Sequence, residues 1–170
     1  MDNDDETLDE SNETGSDELL SEDNLRLPES ANILVRVHAV SAWLARRRDE
    51  ATIQVGEAAL HLQELSMEEP QELRLRRRAQ QLFTERRERA QQALVDAQER
   101  VSAYEEAQAL LEECIAHNNG ERVLVEYYLL LEEQAAAQAD QPPRTPSWYS
   151  AIADVQHRVE HVGIPNEEEA

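Results

Sequence analysis

Lysine is absent from this 170-residue chain, and all sixteen of its basic residues are arginine. A Schiff-base lysine, a P-loop lysine and a lysine general base are therefore all excluded. A G+C-rich genome accounts for such usage, as does selection against modifiable amines. Cysteine occurs once, at Cys114. No internal disulfide can form, which suits a reducing interior. Aromatic residues make up 4% of the chain, so a core has to be built from Leu, Ala, Val and Ile. Helical bundles and coiled coils accept that composition more readily than β-sandwiches do. No apolar run approaches the roughly 18 residues that span a bilayer. The N-terminus is acidic and polar, unlike a secretory signal or an Arg-rich transit peptide. The expected location is the cytoplasm.

Only four Gly and six Pro interrupt a sequence dominated by Ala, Leu, Glu, Gln and Arg. These residues lose little rotamer freedom in a helix, so composition by itself points to α-structure. The net charge of −21 is unevenly distributed. Residues 1–30 carry −11, Glu167–Glu169 carry −3, and the remaining body carries −7. The acidity is thus mainly a property of the two ends.

The expected fold is all-α: a long antiparallel helical hairpin of coiled-coil character, two shorter C-terminal helices, and a disordered acidic N-terminal tail. Residues 1–28 are too polar to offset their ordering entropy by burial. The Leu19-Leu20 and Leu25-Arg26-Leu27 clusters inside them are either a short docking motif or a fraying first turn. Residues 29–139 hold the hairpin and a third helix folded back on it. In helix one, Ile33, Val37, Val40, Leu44, Ala51, Val55, Ala58, Leu62 and Leu65 form a stripe at steps of three, four and seven. Ser66-Met67-Glu68-Glu69 has capping-box form, and Pro70 suits a first helical turn, so helix two is expected to start there. Running to about His117, it would span roughly 75 Å and overshoot helix one. Its seam reads Leu75, Ala79, Leu82, Ala90, Ala93, Ala97, Val101, Tyr104, Leu111 and Ile115.

Asn118-Asn119-Gly120 is a helix stop, because Gly and Asn tolerate the left-handed conformation. Helix three then runs to about Ala139. Residues 140–147 form a Pro-rich linker whose Thr145-Pro146 reads as N-cap and first helical position. The C-terminal helix occupies 148–163, with Trp148, Ile152, Val155, Val159 and Val162 on one stripe. Gly163 and Pro165 stop it, and 164–170 is a second acidic tail.

Chemical motifs are sparse. His157-x-x-Glu160-His161 matches the inverted zinc-protease pattern, in which two histidines on one helical face hold zinc and the glutamate acts as base. The helix lies close to the acidic end, and nothing upstream suggests a substrate cleft, so a solvated polar face is expected instead. A di-iron bundle needs E-x-x-H elements, and the chain contains none. Cys114 and His117 share a face, but Glu112 and Glu113 oppose thiolate formation, so a seam cysteine is expected rather than a nucleophile. The expectation is a non-enzymatic protein with no catalytic residue, metal or other cofactor.

The remaining signals concern partners. Leu124, Tyr127, Tyr128, Leu131, Trp148 and Tyr149 concentrate apolar and aromatic area in the C-terminal half. They are candidates for a partner surface, or else they form the local core. Arg46, Arg47 and Arg48 form one basic run and Arg76, Arg77 and Arg78 another, both suited to carboxylate or phosphate groups. A helical scaffold or adaptor is the expected function, joining a protein partner or a second copy of itself. One alternative is a nucleic-acid-associated accessory subunit using the Arg runs. Another is an acidic chaperone or mimic whose tail occupies a basic partner.

Overall fold

The computed structural model describes Leu27 and residues 31–68, 77–137 and 144–162. Among these residues there are four helices and no strand: α1 (Ile33–Glu68), α2 (Arg77–His117), α3 (Arg122–Ala136) and α4 (Pro146–Val162). The expected all-α fold is what the chain adopts. The tails at 1–26 and 163–170 and residues 140–143 of the Pro-rich linker lie outside the described residues.

Helices α1 and α2 are antiparallel neighbours that make the most extensive contact in the molecule. Trp43 stands edge-on to Tyr104 at 6.2 Å, and the Arg48 guanidinium donates to the Gln108 side chain at 3.2 Å. Val40, Leu44, Ala51 and Leu65 of the expected α1 stripe are buried, and Trp43 joins them from outside it. The capping box is not one. Ser66 lies in the last turn of α1, where its hydroxyl donates to the Leu62 carbonyl at 2.9 Å. A serine bonded back to the residue four before it continues a helix rather than opening one. Pro70 and Leu75 fall outside the described residues.

The α2 seam is more regular than the expected one. Ala90, Ala97, Tyr104 and Leu111 are buried at strict seven-residue steps, continued by half-buried Phe83. Leu82 and Ile115 are 61% and 47% exposed, and Ala93 is exposed as well. Phe83 and Cys114 hold the places that Leu82 and Ile115 were expected to take, since each sits one residue off the inward-facing row. Ala103 and Ala107 are fully buried. Their small side chains let neighbouring helices approach the α2 backbone closely.

Helix α2 runs unbroken to His117, and Gly120 reverses the chain with φ of 64°. Helix α3 then folds back on α2, where the Tyr127 hydroxyl donates to the Ala107 carbonyl at 2.9 Å. Helix α4 starts as expected: the Trp148 N–H donates to Thr145 Oγ1 at 3.3 Å, and Pro146 occupies the first helical position. All five residues of its stripe are buried. Arg36 of α1 closes its far end by donating to the Val162 carbonyl, one of the last carbonyls of α4 that the helix itself leaves unpaired.

The core unites the first half of α1, the second half of α2, α3 and α4. It includes no described residue from Thr52 to Arg100. From Thr52 outward, α1 and the first half of α2 therefore form a two-helix arm. Among its described residues, Leu65, Ala90 and Ala97 are the buried apolar ones.

Candidate interaction surface

The aromatic concentration of the C-terminal half is consumed by the fold. Leu124, Tyr127 and Leu131 are fully buried, and Trp148 is 1% exposed. Tyr149 is half-buried and stands edge-on to Trp148 at 5.1 Å. Burial pushes the Tyr127 phenol far above its ordinary range, since an ionised ring there would lack solvent. These residues join α2, α3 and α4, so the apolar patch expected from sequence serves as core. Leu124, Tyr127 and Leu131 face inward from α3, and Trp148 faces inward from α4.

Tyr128 is the member of the group with an outward polar end. Its hydroxyl donates to Glu160 Oε1 of α4 at 2.7 Å. That bond, helped by burial and by the Glu160 and Glu132 charges, pushes the phenol up to about 12 from an ordinary 10.0. A raised folded-state value means the neutral phenol is the stabilising form. Its contribution is complete below about pH 10 and is lost as pH rises from 10 to 12. In a phenol absorbance titration, Glu160→Gln is expected to bring one tyrosine back toward 10, and Tyr128→Phe to remove that same transition. Identical titrations for wild type and Glu160→Gln would contradict the assignment.

The same Glu160 belongs to the inverted zinc motif. His157 and His161 lie one turn apart with ring centroids separated by 6.0 Å, and His157 is 4.0 Å from the other Glu160 oxygen. Among the described residues, no group of three or more His, Cys, Asp or Glu side chains is arranged to hold a metal ion. Glu160 is occupied in tying α3 to α4. Cys114 is buried, and its thiol is pushed up by that burial and then by the Glu126 and Glu113 charges, the direction opposite to nucleophile activation.

The two Arg runs have different fates. Arg47 stacks over Trp43 at 5.7 Å and Tyr104 at 6.0 Å. It also pairs with Glu50 at 3.1 Å and with Asp154 of α4 at 3.5 Å. Arg46 pairs with Glu50 at 4.0 Å and Arg48 with Asp49 at 2.9 Å. This run is engaged with the protein itself, fastening α1 to α2 and α4. Arg77 and Arg78, by contrast, are exposed at the start of α2 beside the far end of α1. Arg76 lies outside the described residues. Arg86, Arg87 and Arg89 follow along the arm, Arg89 pairing with Glu85 at 3.9 Å, so the first thirteen residues of α2 carry five Arg against two Glu.

A second feature of the arm went unread in the sequence. Ile53, Leu60 and Met67 are 62%, 62% and 70% exposed. Their seven-residue spacing puts them on one face of α1, and Ala51 and Leu65, two residues away from its ends, face inward. The row therefore lies on the side of α1 turned away from α2. The inward stripe masked it, because both rows repeat with the same period. Glu57 and Glu64 flank it, and α1 residues 52–68 contain three Glu and no Arg.

The described helices include none long and apolar enough to cross a membrane. What the geometry defines is an all-α bundle extended by a two-helix arm, with one acidic helix and one basic helix. Compared with protein-family models, curated proteins and solved structures, the chain matches none of them.

Proposed function

We propose that the protein is a non-enzymatic helical scaffold whose four-helix bundle holds out the two-helix arm as its binding element. The observation that supports this reading is the exposed row Ile53, Leu60 and Met67. The bundle leaves Leu34, Val35, Ile115, Val125 and Leu129 exposed at scattered positions, whereas α1 of the arm leaves three large apolar side chains in solvent on one face at seven-residue spacing. Such a row is what a partner helix packs against, by inserting its own side chains between them. The Arg-rich start of α2 adds positive charge to the arm, which favours acidic partners.

The test is affinity capture from the native cell with wild type and with an Ile53→Glu, Leu60→Glu double variant. Both positions are exposed, so the variant is expected to keep its helix content and thermal midpoint. Specific companions retained by wild type are expected to disappear with the variant. Identical sets of captured proteins would remove the arm as the binding element.

A further inference from the structure

We draw no further inference here: the strongest candidate, the exposed apolar row Ile53, Leu60 and Met67 on the outer face of α1 in the arm, carries nothing beyond the reading above, because nothing in the structure shows what covers it.

Discussion

Trp148→Ala is expected to lower the unfolding free energy by about 3–5 kcal/mol, read as a shift in urea midpoint. Domains of this size are stable by only about 5–15 kcal/mol, so that is a large fraction of the total. The magnitude follows from where the ring sits. Trp148 is 1% exposed at the first turn of α4, edge-on to Tyr149 and capped by the Arg144 guanidinium at 5.1 Å. Arg144 is itself held by Glu106 of α2 at 3.1 Å. Removing the indole would leave a cavity bounded by three helices, and their backbones cannot all move in to fill it. Trp148→Phe separates packing from polarity. The indole Nε1 is buried with no hydrogen-bond partner among the described residues, so its loss relieves a small desolvation cost. The phenyl ring keeps most of the apolar contact, and a cost of about 1–2 kcal/mol is expected. Equal losses for both variants would mean that the indole N–H contributes through a partner outside the described residues. A loss below about 1 kcal/mol for Trp148→Ala would mean that α4 is not part of the cooperative core.

The sequence conveys the helices because several independent signals agree. In α4, an N-cap threonine, a first-turn proline and steps of four and three all point to the same helix, and its boundaries and buried face follow. In α2 the signals are thinner. Alanine packs inward and outward with little difference in free energy, so Ala103 and Ala107 cannot be told from Ala93 by spacing alone. The Ser66 box illustrates a local motif overridden by its surroundings. The continuing α1 seam through Leu65 keeps the helix going, and the hydroxyl turns back to Leu62 instead of opening a new helix. Partner residues were legible only as a choice between surface and core. Nothing in Leu124 or Tyr127 indicates that α4 lies across them, since that depends on the turn at Gly120 and on the linker before Thr145. Arg46–Arg48 and Arg77–Arg78 look alike in sequence. Their difference arises from Asp154 and Tyr104, which the fold brings to the first run and not to the second.

That same division of the molecule makes two chemically identical substitutions unequal. Leu44 and Leu65 both lie on α1, facing α2, and both are at least 98% buried. Leu44 sits inside the core that joins all four helices, whereas Leu65 lies in the arm outside it. Leu44→Ala is expected to cost about 3–5 kcal/mol of global stability, because the cavity is enclosed on several sides and closes poorly. Leu65→Ala removes the same atoms from a two-helix segment that has few other buried apolar residues. The neighbouring helix can settle into the space, so the lower part of the large-to-small range applies, about 2–3 kcal/mol. More tellingly, much of that loss should fall on local opening of the arm rather than on global unfolding. Amide hydrogen exchange distinguishes the two. In wild type, residues 53–66 and 80–95 are expected to exchange faster than 101–114 and 151–161, since fewer buried contacts resist their opening. Leu65→Ala should then raise exchange in the arm by roughly 30-fold or more for 2 kcal/mol, with the bundle amides nearly unchanged. Leu44→Ala should raise exchange throughout α1, α2 and α4 together. Uniform acceleration of both regions by Leu65→Ala would show that arm and bundle open as one unit. An arm that opens alone is the state of affairs expected if its exposed α1 face is completed only when a partner helix packs on it, and added partner should restore protection first at Ile53, Leu60 and Met67.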